Sequence, residues 1–311
     1  MLTQKELLSR IDQIVALSSV SKIQRLMHQP AKYIKAIWFK DVIYPFNQQD
    51  KQVKTDLFFD AKINILLPSA TDIYLLGGKS HDSETRLAKY LVQQLNSSTH
   101  FFDIGAHYGY FTMLANEIIE GKSTIFSFEP TVKTYELLAL NTKSNQNIKT
   151  FNNAVSDKNE YLKFYEFGNK YSEYNSLDIA QYEDSAWFKS TQKTIHEIQA
   201  IPLDEIIETN KIIPDYIKID VEGAEFQVMK GAQKLLTNHA PTLIMEYVAP
   251  DRKNEAHQKA VALLRDWGYK TFIILHAGTI EPIEDIDTYL MQKGLESDNI
   301  VIKKSIKSAS L

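Results

Sequence analysis

The sequence contains no cysteine, which excludes disulfides, a thiolate nucleophile, Cys-ligated zinc and thiolate-held iron–sulfur clusters. No apolar run approaches the ~18–20 residues of a membrane-spanning helix. The first residues, MLTQKELLSRIDQIVALSS, are interrupted by Lys5, Glu6, Arg10 and Asp12, so a secretory leader is not expected. Positive charge is not in excess either. Thirty-five Lys and Arg stand against 39 Asp and Glu, a formal net charge of −4, which argues against a large cationic footprint for nucleic acid. No internal repeat or low-complexity tract stands out. What is present is ordinary for a globular protein, 44% hydrophobic and 24% charged over 311 residues, about two domain-sized units by length. The expected location is cytoplasmic.

Three stretches differ in pattern. Residues 1–55 read as an N-terminal helical extension: Leu7, Leu8, Ile11, Ile14, Val15, Leu17, Ile23, Leu26 and Met27 recur at three- and four-residue steps. Pro30 ends that stripe or opens a second helix through Trp38. This extension either packs on the main domain or forms a homodimer contact through its helices. Residues 56–95 read as a small antiparallel piece with a lead-in helix: Leu57–Phe59, Ile63–Leu67 and Ile73–Leu76 as strands, then helical spacing from Ser83. From residue 96 to 311 strands and helices alternate. Strands are expected at Phe101–Ile104, Thr124–Phe128, Lys149–Ala154, Tyr216–Ile219, Thr242–Glu246, Thr271–Leu275 and Asn299–Ile302. Helices are expected at about 110–119, 131–144, 224–237 and 254–267. That rhythm requires crossover connections and a mainly parallel sheet covered on both faces, closed by an antiparallel pair. A polar stretch at about 166–199 reads as an insertion near the open mouth of the sheet.

The most informative segment is FFDIGAHYGYFTML, Phe101 to Leu114. An apolar strand ends in Asp103, Gly105 and Gly109 flank a tight turn, and an apolar helix follows whose first amides can face a polar ligand. It is not the G-x-G-x-x-G of dinucleotide sites, which argues against a nicotinamide oxidoreductase. An acidic residue ahead of the first glycine suits a ligand with an ammonium group, such as the amino-acid end of S-adenosylmethionine. Twenty-six positions after Asp103 the next strand ends in Glu129-Pro130, where a carboxylate can accept from both ribose hydroxyls. The third ends in Asn152-Asn153-Ala154, where an amide could read adenine.

DIGAHYGYFT, FSFEP, NNAVSD, PLDEII and PDYIKIDVEGAEFQVMKGAQKLL together resemble the FkbM-type S-adenosylmethionine-dependent methyltransferases, over roughly Glu84 to Tyr247. The resemblance implies an α/β, Rossmann-like class I methyltransferase fold with a seven-stranded, mostly parallel sheet. It implies a cofactor site at Asp103, Gly105, His107, Gly109, Tyr110, Phe111, Glu129, Pro130, Asn153, Ala154 and Asp220, and O-methylation of a sugar, glycan or secondary metabolite. Residues 1–55 and 166–199 match nothing in the family pattern and are expected to select the acceptor.

A hydroxyl needs help losing its proton, worth about 10²–10⁴-fold. Three sources fit. Asp220 or Glu222 could take the proton if burial or a like charge raises its pKa. His107 in the first turn could, since imidazole titrates near neutral pH, with His276 a further histidine. Asp220 and Glu246 could instead hold Mg²⁺ to acidify the hydroxyl. Glu225 reads as a carboxylate favoured at a helix start. Tyr161, Phe164, Tyr165, Phe167, Tyr171, Tyr174 and Tyr182 either stack on an acceptor or fill a core. The competing readings are methylation of an amine on a small molecule or peptide, and a binding module without turnover. A DNA-base methylase is disfavoured, because Asp220-Val-Glu-Gly is not an Asn/Asp-Pro-Pro-aromatic loop.

Overall fold

The alternation expected from residue 96 onward is present in the computed structural model, which describes residues 2–167, 188 and 194–304. In chain order the N-terminal part comprises α1 (Gln4–Ser19), α2 (Lys22–His28), α3 (Pro30–Trp38), a π turn at Phe39–Ile43 and α4 (Tyr44–Asn47). It continues with β1 (Lys51–Asp56), β2 (Lys62–Leu67), α5 (Thr71–Leu76) and α6 (Asp82–Gln94). Then follow β3 (Phe101–Ile104), α7 (Tyr110–Ile118), β4 (Ile125–Phe128), α8 (Val132–Thr142), β5 (Ile148–Phe151), β6 (Ala154–Val155), β7 (Glu160–Glu166) and β8 (Thr194–Ile201). The chain ends with α9 (Leu203–Asn210), β9 (Tyr216–Ile219), α10 (Glu225–Gly231), α11 (Gln233–Asn238), β10 (Thr242–Val248), α12 (Glu255–Asp266), β11 (Tyr269–Ile274), β12 (Ile280–Pro282), α13 (Ile286–Lys293) and β13 (Ser297–Lys304).

The main sheet runs β12-β11-β13-β10-β9-β3-β4-β5. The five strands from β10 to β5 are parallel, and β13 is antiparallel to both β10 and β11. Seven strands are the expected ones; the three-residue β12 adds an eighth at the β11 edge. This is the Rossmann-like class I methyltransferase arrangement. The chain steps outward from β3 to β5, then returns to place β9 beside β3. That reversal opens a crevice at the carboxyl ends of β3 and β9.

Strand alternation splits the core into two layers. Phe101 packs with Leu7, Ile11, Leu91 and Leu114 on one face, whereas Phe102 and Ile104 pack with Val228, Leu236 and Leu264 on the other. Each such buried side chain contributes roughly 1.5–3 kcal/mol. The second face has its own anchor at a helix break. A Cβ on Gly231 would lie 1.9 Å from the Ser156 carbonyl oxygen, so only glycine lets α10 approach the chain after β6. There the expected helix 224–237 divides into α10 and α11.

Several expectations need correction. Leu57–Phe59 is not a strand but the turn joining β1 to β2, with Phe58 N donating to the Gly77 carbonyl. Ile73–Leu76 is helical, stopped by Gly77 at φ 74°; a four-residue apolar run fits either period, and the left-handed glycine behind it is the helix signal. The stripe from Leu7 to Met27 is two helices, because Ser21 and Gln24 form a capping box that starts α2. The four expected helices of this part leave out α13, two turns that form between β12 and β13. The expected strand Lys149–Ala154 splits as well: β5 stays in the main sheet, and β6 joins β8 and β7 in a second sheet. Most of the insertion, with Tyr171, Tyr174 and Tyr182, lies outside the described residues.

Candidate active site

A cleft of about 900 Å³ opens over the carboxyl ends of the parallel strands. Gly105, His107, Phe111, Glu129, Pro130, Asn153, Ala154, Asp220, Glu222 and Glu246 line it. Residues chosen from five separate sequence segments therefore meet in one place.

The floor is set by backbone proximity. A Cβ on Gly105, whose φ is +77°, would fall 1.8 Å from the Asp220 carbonyl oxygen, so this glycine lets the turn after β3 touch the turn after β9. The amides of Gly105 and Ala106 both donate to the Phe128 carbonyl. His107 takes a left-handed φ of 50°, and its N–H donates to Glu129 Oε2 at 2.9 Å. Glu129 also accepts from Thr131 N at 3.0 Å and Thr134 Oγ1 at 2.8 Å. Burial pushes its pKa above the ordinary carboxylate range despite these donors. Asn153 Nδ2 reaches the Gln199 carbonyl at 3.3 Å, which ties the end of β5 to β8.

Asp103 is placed differently from expectation. Its side chain is fully buried and does not line the cleft. Register sets its neighbours: Ser127, Asp103 and Lys218 lie side by side across β4, β3 and β9, so all three point to the same face as Phe101, and of the three only Lys218 lines the cleft. Thr112 Oγ1 of α7 donates to Asp103 Oδ2 at 2.6 Å and lies 2.9 Å from Ser127 Oγ. Lys218 Nζ is 3.6 Å from Asp103 Oδ1 and 3.2 Å from Asp220 Oδ2. Asp103 is thus the inner counter-ion of a buried lysine, and a direct grip on a ligand's ammonium group is not what this geometry offers. Gly109 and Tyr110 also lie off the cleft lining. Tyr110 packs 6.3 Å from the Phe59 ring, one helical step from Phe111, which faces the site. His276 does not line the cleft either; its Nδ1 lies 3.9 Å from Asp82 Oδ1 in an exposed pair.

Lys218 is the residue that sequence reasoning missed, although a lone lysine inside YIKID, between two strand-end aspartates, was the available signal. Burial works against its charge, but Asp220 and Asp103 outweigh that cost and hold the ammonium above its ordinary pKa. Its Nζ also sits 5.6 Å from the Phe111 ring centroid. Beyond it stand three carboxylates. Asp220, Glu222 and Glu246 each offer an oxygen within 4.8 Å of the others. Burial opposes ionisation of Asp220, yet Lys218 and Lys79 hold it below the ordinary range. Glu246 takes the consequence: burial and the adjacent Asp220 charge push it up to about 8. Glu225 turns away, accepting from Gly223 N at 3.2 Å and lying 3.3 Å from buried His257 Nε2.

The Methyltransferase FkbM domain matches residues 103–271, more than half of the chain. The chain belongs to the FkbM methyltransferase family. Among solved structures, Methyltransferase FkbM from Methylobacillus flagellatus KT is 15% identical, with 76% of this chain and 52% of that chain covered and a TM-score of 0.43. The O-methyltransferase from Bacillus cereus, in complex with SAH, is 12% identical over 70% of this chain and 78% of its own, with a TM-score of 0.40. Aeropyrum pernix fibrillarin, with natively bound S-adenosyl-L-methionine, is 12% identical over 70% and 74%, also at 0.40. No match is found among curated proteins.

The FkbM domain does not supply the whole lining. Residues outside the match, among them Ser18, Arg25, Lys40, Thr71, Lys79 and Glu84, line the cleft as well. Lys79 Nζ and Glu84 Oε1 pair there at 2.5 Å. Of the expected aromatics, Phe164 lines the cleft and packs into the small core around Ala200, Phe167 is buried, and Tyr161 is exposed.

Proposed function

We propose that this FkbM methyltransferase is S-adenosylmethionine-dependent and methylates a hydroxyl of a sugar, glycan or secondary metabolite, with the Asp220–Glu246 pair taking the proton. The observation that carries the reading is one cleft holding Glu129 and Asn153 at one end and the Lys218–Asp220–Glu246 group at the other. The donor set suits the cofactor: Glu129 is an acceptor-only carboxylate lining the cleft at the end of β4, the chemistry a ribose hydroxyl pair requires. Gly105, Glu129, Pro130, Asn153 and Ala154 would hold it. Bound there, S-adenosylmethionine supplies an activated methyl group on a cationic sulfur.

The protein's remaining work is alignment and proton removal. Asp220, kept ionised by Lys218, accepts the hydroxyl's hydrogen bond and orients its oxygen. The two carboxyls titrate as a pair, so the proton released as the new C–O bond forms passes to that pair. Its upper step lies at about 8, so the doubly ionised pair, populated as pH rises toward that value, is the form that takes the proton. This shifts weight from Asp220 or Glu222 acting singly. A second reading, Mg²⁺ held by Asp220, Glu222 and Glu246, is favoured by their 4.8 Å clustering. The Lys218 ammonium at 3.2 Å from Asp220 competes with a cation and makes the base reading the stronger one.

Asp220→Asn is expected to bind S-adenosylmethionine with wild-type affinity in calorimetry and to lose about 10²–10⁴ of kcat, using an acceptor found by mass-spectrometric screening of glycans and metabolites. Full activity in Asp220→Asn removes the base assignment, and absence of S-adenosylmethionine binding by the wild type removes the whole reading. An amine acceptor in the screen favours N-methylation; a rate lost in EDTA and restored by magnesium favours the metal.

A further inference from the structure

The segment from α2 to β1 presents apolar side chains outward as well as inward. Ala36 and Phe39 are buried, yet Ile34, Trp38, Val42 and Phe46 are exposed, Trp38 by 56% and Phe46 by 89%. These four are spaced by four residues along α3, the π turn and α4, which run without a break. In an ordinary helix such a ladder drifts by about 40° per step; the wider π turn takes up part of that drift. Ile23 and Met27 of α2 repeat the same spacing and the same exposure. An outward apolar stripe of this length, including Trp and Phe, is not how a helix ends against water.

Charge identifies what covers it. Between residues 22 and 54 there are seven Lys and Arg and only two Asp, a net +5 within a chain of net −4. The rest of the molecule therefore carries −9. Lys35, Lys40, Lys51 and Lys54 are exposed. A second copy docking through this face would meet the same cationic surface, because a two-fold contact is self-complementary. An anionic bilayer supplies both an apolar layer for Trp38 and Phe46 and a negative potential for the lysines. We propose that residues 22–54 form an interfacial docking face for anionic lipid membranes, lying on the surface without spanning it. Because Arg25 and Lys40 also line the cleft, the face adjoins the active site.

The test uses the full chain with extruded vesicles. Co-sedimentation is expected with phosphatidylcholine vesicles containing one-third phosphatidylglycerol, and at least tenfold weaker with phosphatidylcholine alone. Binding should fall steeply as salt rises, since the lysines act within a Debye length of the surface. Trp38→Ser with Phe46→Ser should lose at least tenfold in binding while keeping the wild-type melting temperature, both side chains being exposed. Lys35→Glu with Lys54→Glu should abolish the preference for anionic lipid. Equal binding to both vesicle types, or none to either, overturns the proposal. So does a dimer in sedimentation velocity that Trp38→Ser with Phe46→Ser dissociates, because the face then belongs between copies.

Discussion

The two walls of the cleft are built by different means. The wall from β3, β4, β9 and β10 is set by backbone: Gly105 against Asp220, paired amides on the Phe128 carbonyl, and the buried row Ser127–Asp103–Lys218. The other, from α1, α2, the π turn and the stretch around α5 and α6, is built by side chains such as Arg25, Lys40, Lys79 and Glu84. It is fastened at a distance, where buried Arg86 of α6 pairs with Asp298 of β13 at 2.8 Å. A wall made of backbone contacts cannot shift without unfolding a strand end, whereas one made of side chains can change its chemistry residue by residue.

Substitutions can break this contrast or sharpen it. The largest effect is expected from Gly105→Ala, which drives a Cβ into the Asp220 carbonyl at positive φ and should cost about 4 kcal/mol; a melting temperature within a few degrees of wild type would show that the floor is softer than described. Lys218→Met takes the buried cation from Asp103 and leaves Asp220 with Lys79, and should cost about 3 kcal/mol in denaturant unfolding. Adding Asp103→Asn should recover part of that loss if the two truly pair. Gly109→Ala, at φ +87° with a Cβ 2.7 Å from the buried Leu138 Cδ1, meets a side-chain end rather than backbone and should cost about 2 kcal/mol.

A pH series reaches the same wall more gently. Glu246 is raised from 4.5 to about 8, so between those values the unfolded chain has released a proton that the folded chain keeps. Its contribution is present at low pH and is lost as pH rises through that window. Glu246→Gln should therefore flatten the fall in melting temperature between pH 5 and 8. An unchanged slope would place the titration elsewhere. On the other wall, Lys40→Ala should change stability by no more than about 0.5 kcal/mol.

Much of the site was legible because parallel strands deliver their carboxyl ends to one crevice. Once FFDIG, FSFEP and YIKID were read as strands, Gly105, Glu129 and Asp220 had to converge. What misled was depth. Asp103 lies inside β3, fully buried and paired with Lys218, and it is Lys218 of that same row that reaches the cleft. Lys218 was visible as an oddity in an apolar strand, but its two partners lie 115 and 2 residues away in sequence, and only lateral register brings the distant one beside it.

Composition and periodicity by themselves determined the α/β alternation, the turn after β3 and the set of strand-end acids, since these depend on local pattern. Tertiary structure alone decided that Asp103 is a hidden counter-ion and that Glu246 shares its field with Asp220. It also decided that the N-terminal helices complete the cleft. Burial and electrostatic coupling depend on neighbours from distant segments, and no stretch of chain contains that information on its own.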